Sequence, residues 1–489
     1  MKLTDQGTGT YREPMTERTL GAPEWIHFGA GNIFRAFMAD MAQVLISEEK
    51  CDTGVIVVEG YDPEIIEKIY RPHDNLAIIA TLRSDGTADK KVIGSIAASF
   101  VLDGAYPEDL AKLEEMFENP TLKMCSFTIT EKGYSTKEYM RKIVLLLLHR
   151  YKTVNLPVAF VSMDNCSHNG EILHNAIEVT AKDLIAEGLA DEGFLEYIND
   201  RSRVSFPWTM IDKITPRPDE GVYKELIKDG WEDLDPIVTT KGTYIAPFVN
   251  AEETGYLVIE DDFPNGRIPL DEAGAVFTDR DTVNKTERMK VCTCLNPLHT
   301  ALAIFGCLLG YKTIHDEMED EDLKNLVYTL GYKEGMPVVT DPGVIAPDDF
   351  LETVLTKRLP NPFMPDSPQR IATDTSQKIP IRFGETIKAY RNTPDLGTDD
   401  LTVIPLVLAG YLRYLNGTDD EGRPFDQSSD PMLSLLTAMP ASDVLKKKEV
   451  FGCDMFEDGL GDRVLKMYDE MCRGEGSIRK TLHKYVTEV

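Results

Sequence analysis

Within residues 287–311, ERMKVCTCLNPLHTALAIFGCLLGY, an amine (Lys290), a carboxamide (Asn296) and an imidazole (His299) stand just before an apolar run, residues 301–309, that reads as a buried helix. Polar groups so placed lie at the mouth of a core, where an amine can move a proton and a carboxamide can donate to a developing oxyanion. The same letters have a plainer reading: Asn296 as an N-cap ahead of Pro297, His299 in the first turn, and Lys290 in solvent. Two clusters upstream bear on the choice. Residues 126–134 (SFTITEKGY) end one alternating run, and residues 161–170 (VSMDNCSHNG) end another before a helical pattern. Open α/β sheets bind ligands beyond the carboxyl ends of their strands, so Thr130 and Asn165 point to one crevice. Asn165 and Asn169 would serve equally well as turn formers.

The elements that must position these groups begin with a short apolar run, residues 25–28. It leads into Gly29-Ala-Gly31-Asn32-Ile33-Phe34-Arg35 and a helical pattern over residues 36–48. Gly29 allows a tight turn and Gly31 a close approach of backbone to a pyrophosphate, which then meets the N–H groups and positive end of the helix. Phe34 replaces the third glycine of the usual motif. A β-branched run, GVIVVE, then closes on Glu59. That acid suits the two hydroxyls of an adenosine ribose and repels a 2′-phosphate, which favours NAD over NADP; a strand-end charge facing solvent is the equal alternative. The expected cofactor set is Gly29, Gly31, Asn32, Ile33, Phe34, Arg35, Glu59 and Thr130.

Further apolar runs at residues 76–82, 92–102, 123–130 and 157–163 extend a mostly parallel sheet, so the N-terminal part reads as an α/β, Rossmann-type domain. Residues 237–250 and 256–274 look like strands with a tight turn at Pro264-Asn-Gly266. Near Lys285 the pattern changes to long helical windows, which divides the chain into residues 1–285 and a mainly α-helical domain, residues 286–489. The loop-like stretch around residues 340–380 leads into a gathering of Arg358, Arg370, Lys378 and Arg382, which suggests an electron-rich ligand where salt bridges to local acids are the default.

A formal net charge of −30 would repel nucleic acid and anionic membrane surfaces. The first residues, MKLTDQGTGTYREP, hold no apolar signal core, and the longest apolar stretches fall short of a bilayer span, so a cytoplasmic protein without a membrane or nucleic-acid partner is expected. Of the eight cysteines only Cys292 and Cys294 come close together, and neither C-x-x-C spacing nor an H-E-x-x-H motif is present. Reduced thiols and no metal site are expected, in a monomer or small homo-oligomer.

Taken in order, Gly29-Ala-Gly31 with Arg35, residues 128–134 (TITEKGY), Asp164-Asn165 with residues 168–170 (HNG), Phe206-Pro with residues 212–216 (DKITP), residues 259–267 (IEDDFPNGR), Leu295-Asn296 with His299, and residues 370–378 ahead of Pro380 resemble the mannitol dehydrogenase family. These are the polyol-specific long-chain dehydrogenases, which include fructuronate and tagaturonate reductases. The resemblance implies an NAD-dependent enzyme that oxidises a secondary alcohol without zinc. Lys290 becomes the acid/base, Asn165 and Asn296 the amide donors to the reacting oxygen, and His299 a positioning ligand. Asp212, Arg370 and Lys378 become substrate contacts. The family has four residues between lysine and asparagine and this chain has five, Val291 to Leu295, so a π-bulge or a helix restart at Pro297 is expected to absorb the extra one. A lysine can act as base only when neutral, and burial or neighbouring cations would lower its pKa. A sugar-acid substrate of the fructuronate/mannonate type is expected, with mannitol or arabinitol oxidation as the alternative and an NAD-binding regulatory protein as the non-enzymatic one.

Overall fold

The computed structural model describes residues 1–5 and 11–487. Two compact units divide the chain: residues 1–83 with 87–284, and residues 84–86 with 285–489.

The first unit is built on six strands, β1 (Trp25–Phe28), β2 (Val55–Glu59), β3 (Ile96–Val101), β4 (Met124–Phe127), β5 (Val158–Ser162) and β6 (Val204–Ser205). All pair in parallel, in the order β3-β2-β1-β4-β5-β6. Strands buried on both faces must be apolar at successive positions, and β1, β2, β4 and β5 are buried throughout. Alternation splits them between two cores. Trp25, Val55, Val57, Met124 and Val161 face one, while Ile26, Phe28, Ile56, Val58, Phe127 and Phe160 face the other. The order reverses between β1 and β4, and this switch opens a crevice at the carboxyl ends of the strands.

Two of the apolar runs do not join this sheet as expected. Ala77–Leu82 pairs antiparallel with Ala88–Ile93 and parallel with Phe248–Glu252 in a separate three-stranded sheet. The run over 92–102 breaks between Ile93 and Ile96, so that only its second half enters the parallel sheet. Apolar continuity reports burial and is silent on the pairing partner. A third sheet joins Thr209–Asp212, Tyr256–Glu260 and Val276–Thr278.

The second unit is helical. The helical segment Arg280–Leu309, which belongs to this unit from Lys285 onward and contains a π turn at Lys290–Cys294, has a best window of mean hydropathy 1.5 and is long and apolar enough to cross a bilayer, contrary to the expectation that every apolar stretch is too short. That window is 83% buried in the fold, which makes it a core helix. Its apolar length Asn296–Leu309 packs on the helix Val403–Tyr414, every residue of which is buried. Gly410 permits the approach, since a Cβ there would stand 3.1 Å from the Phe305 ring.

The buried N-terminus of that second helix needs acceptors for its free N–H groups, and its N-cap, Thr402, makes no side-chain capping bond. Glu334 does the work from outside, accepting from Thr402 N at 2.5 Å, Val403 N at 2.7 Å and Ile404 N at 2.8 Å. Replacing one acceptor oxygen by an NH2 group in Glu334→Gln sets donor against donor, and chemical denaturation of the variant is expected to reveal a loss of about 2–3 kcal/mol.

Candidate active site

Gly29, Gly31, Glu59 and Thr130 line one cavity of about 500 Å³ at the carboxyl ends of β1, β2 and β4. Gly29 has φ +107°, and a Cβ there would run into the Thr128 carbonyl oxygen, so both turn and close approach demand glycine. At Gly31 a Cβ would meet nothing, and the missing side chain keeps the cavity open. Glu59 is buried rather than facing solvent: Oε2 accepts from Ala30 N at 3.1 Å, and Oε1 from Tyr61 N at 2.7 Å and Asp62 N at 3.0 Å. Burial holds its carboxyl above the usual range even so. Thr130 sits at φ +64°, a strained conformation for a β-branched residue. It is held there by Asp164, whose carboxylate accepts from Thr130 N and Ile129 N, both at 2.9 Å, and from the Tyr134 hydroxyl at 2.7 Å.

Asn32, Ile33, Phe34 and Arg35 do not line this cavity. Phe34 stacks on His27 at 4.3 Å between ring centroids, and Ile33 packs against the same core. Arg35 donates to the Ala246 carbonyl at 2.6 Å and to Asn32 Oδ1 at 2.8 Å, so these two polar side chains are committed to the fold. Tyr139, which the sequence did not single out, lines the cavity with a buried hydroxyl that has no partner among the described residues.

Also in the first unit, Asn165 is exposed on the bend after β5, and Asp212 is buried at the end of its strand. Asn169 is structural: it accepts from Thr209 N at 3.0 Å and donates to Thr209 Oγ1 at 2.8 Å and the Asp164 carbonyl at 3.0 Å.

Lys290, Asn296, His299, Arg370 and Lys378 belong to the second unit. Lys290 is 2% exposed and opens a π turn, Lys290–Cys294, closed by Leu295 N donating to the Lys290 carbonyl at 3.1 Å. A π turn takes one residue more than an α turn, which accommodates the five-residue spacing. The helix restarts with Leu295, not Asn296, as its N-cap, and no side chain caps it. Asn296 therefore does not fill the expected capping role, and its carboxamide makes no hydrogen bond among the described residues.

His299 Nε2 lies 3.2 Å from Asp366 Oδ2 without the alignment of a hydrogen bond. Burial, then the cations Arg382, Arg358, Arg370 and Lys378, push its imidazole down to about 3, so it is neutral near neutral pH. Asp366, which the sequence reading missed, also binds Arg370 through its other oxygen. An acid four residues before an arginine was the available signal, but it lay among many acids in a loop. Lys378 donates to the Ile371 carbonyl at 3.1 Å and is pushed down to about 8 by burial and then by Arg382. Arg382 donates to Thr300 Oγ1 at 2.6 Å and, at 3.4 Å, to the Asn296 carbonyl, and burial lowers it to about 10. Among the described residues no three His, Cys, Asp or Glu side chains gather as metal ligands would. The second unit thus offers a buried amine, a carboxamide without a hydrogen bond among the described residues, a neutral imidazole beside Asp366, and several cations of which Arg370 is paired with that acid.

Fold and site together define a dehydrogenase of the two-domain, long-chain type. Residues 23–272 match the mannitol dehydrogenase Rossmann domain and residues 282–472 the mannitol dehydrogenase C-terminal domain, and the chain belongs to the mannitol dehydrogenase family. It is 46% identical to D-mannonate oxidoreductase of Thermotoga maritima over 97% of this chain and 94% of that protein. Mannitol 2-dehydrogenase of Emericella nidulans is 27% identical over 99% of this chain and 97% of its own. Among solved structures, substrate-free D-sorbitol dehydrogenase superposes with a TM-score of 0.79 at 24% identity, covering 95% of this chain and 96% of that one. Mannitol 2-dehydrogenase of Pseudomonas fluorescens, solved as a ternary complex with NAD and D-mannitol, gives 0.68 at 22% identity, covering 96% of each.

Two substitutions probe the two halves. Gly29→Ala closes the turn against Thr128, and fluorescence titration with NADH is expected to show at least a tenfold weaker Kd, about 1.4 kcal/mol or more. Asp366→Asn leaves Arg370 without its counter-charge; urea unfolding is expected to show a loss of about 1–2 kcal/mol, since the arginine is partly solvated.

Proposed function

We propose that this chain interconverts D-mannonate and D-fructuronate with NAD. Carrying the sugar-acid reading is the gathering of Arg358, Arg370, Lys378 and Arg382 about His299 in a chain of net charge −30. The name of the Thermotoga maritima relative supports the same substrate. We take residues 1–285 as the NAD-binding domain and residues 286–489 as the substrate domain, and we assign the enzyme to the cytoplasm, in keeping with free thiols at all eight cysteines.

NAD fits the glycine-floored cavity, where the Glu59 Oε2 that accepts from Ala30 keeps a lone pair for a ribose hydroxyl and the Tyr139 hydroxyl lacks a partner. When bound it supplies the hydride acceptor for oxidation and the donor for reduction. Lys290 takes the proton from the substrate hydroxyl as the alcohol is oxidised and returns it on reduction. Asn165 and Asn296 donate N–H groups to the same oxygen, stabilising the charge that develops there. Neutral His299 hydrogen-bonds a substrate hydroxyl, its ring held beside Asp366. Asp212, Arg370 and Lys378 contact the rest of the substrate.

Absorbance of NADH over a panel of aldonates and polyols tests the substrate: turnover of mannitol or arabinitol with none of mannonate would sink the acid reading. In Lys290→Met, kcat should fall by about 10²–10⁴ while NADH still binds, because the acid/base is gone and the cradle is not. Affinity for mannonate carries a pH signature. Lys378, lowered to about 8, is charged below that pH and neutral above it. Mannonate Kd measured with NAD present should therefore stay level up to about pH 8 and rise by up to about tenfold per unit beyond.

A further inference from the structure

Among the described residues Arg382 is a guanidinium without a carboxylate in contact. Its bonds go to a hydroxyl and a carbonyl, both through Nη1, and Nε and Nη2 donate to no described residue. The chain holds 82 acidic against 52 basic residues, so an unpaired, partly buried arginine is not a matter of scarce partners. Asp366, the acid beside this cluster, is taken by Arg370 and lies against His299. Lys378, four residues before Arg382, donates to the Ile371 carbonyl; Arg382 repels its charge, and Asp374 and Asp430 favour it without bonding to it. Neighbouring cations with no carboxylate in direct contact gain when an anion sits between them.

Placement narrows what that anion is. Thr300 and the Asn296 carbonyl, which Arg382 holds, belong to the first turn of the helix that carries Asn296 and His299. A group bound on the free edge of the guanidinium is thus a few carbons from one held by Asn296. A fork of parallel N–H donors matches a carboxylate, and an ammonium nearby adds charge without demanding geometry.

We propose that Arg382, backed by Lys378, receives the carboxylate of the substrate and so selects a sugar acid over a neutral polyol. This rests on the mannonate reading above. Arg370 is the weaker candidate for the role because Asp366 already neutralises it.

The test compares D-mannonate with D-mannonamide, its neutral isostere, in steady-state assays of the wild type, Arg382→Gln and Arg382→Lys. Wild-type enzyme should prefer the acid by about a hundredfold in kcat/KM, as expected for a desolvated charge pair. In Arg382→Gln the acid should lose that factor, mostly through KM, while the amide changes little and the preference disappears; Arg382→Lys should fall between. Equal losses on acid and amide would make Arg382 a support for Thr300 and Asn296, and overturn the proposal. Should Arg382→Gln fail to fold, equal wild-type kcat/KM for acid and amide would overturn it, as would an Arg382→Lys variant that keeps the full preference. Wild-type turnover of polyols and of no aldonate overturns both this and the mannonate reading, whereas mannonate turnover untouched by Arg382→Gln overturns this one alone.

Discussion

An amine buried to 2% exposure on a core helix is the constraint from which the second unit follows. Taking an amine out of water carries a cost that its surroundings must answer. The backbone around Lys290 has departed from the regular α form to accommodate it. The π turn at Lys290–Cys294 widens the helix, and Leu295, at φ −129° and ψ −61°, breaks it before the restart. That break frees Asn296 from capping, and its carboxamide makes no hydrogen bond among the described residues. Arg35, Arg358 and Arg382 also sit in π turns, and such turns recur where a side chain must be presented out of helical register.

The cavity at the carboxyl ends of β1, β2 and β4 obeys a matching rule, with backbone in place of side chain as the constrained part. Gly29 and Thr130 both have positive φ, and each lies beside a carboxylate that accepts neighbouring N–H groups, buried Glu59 for the turn after β1 and half-buried Asp164 for that after β4. A loop tied by charge-assisted bonds is fixed before any ligand arrives, which lowers the ordering entropy that binding would otherwise demand.

The sequence made the parallel sheet, the glycine turn and the helical second half legible, because each is written in periodicity or in residues with one steric purpose. Family resemblance supplied what periodicity could not, namely the proposal of roles for Lys290, Asn165 and His299. Three kinds of fact stayed hidden. Phe34 in place of a third glycine read as a weakness of the motif, yet its ring stacks on His27 inside the core, a contact between a strand and a helix that no local pattern announces. The Asn296-Pro297 pair has the letters of a helix start, but the cap fell one residue earlier because the preceding π turn set the phase. Asp366 is one acid among 82, and only coordinates set it against His299 and Arg370.

Several charges elsewhere in this chain, buried or half-buried, are answered by the backbone. Glu59, Asp164 and Glu334 accept peptide N–H groups, and Arg150, with no exposure, donates to the carbonyls of Phe117, Asn119, Leu156 and Pro157. Arg35 follows the same practice with the Ala246 carbonyl. Peptide dipoles satisfy such ions without a counter-ion and hold them in one geometry, which suits a structural role. Lys378 and Arg382 depart from it: each has one or two neutral acceptors, too few for the donors it carries. A fold able to satisfy Arg150 with four carbonyl bonds had the means to satisfy Arg382. Leaving it under-coordinated, next to the carboxamide and imidazole of the site, makes sense where the remaining acceptors arrive with the substrate.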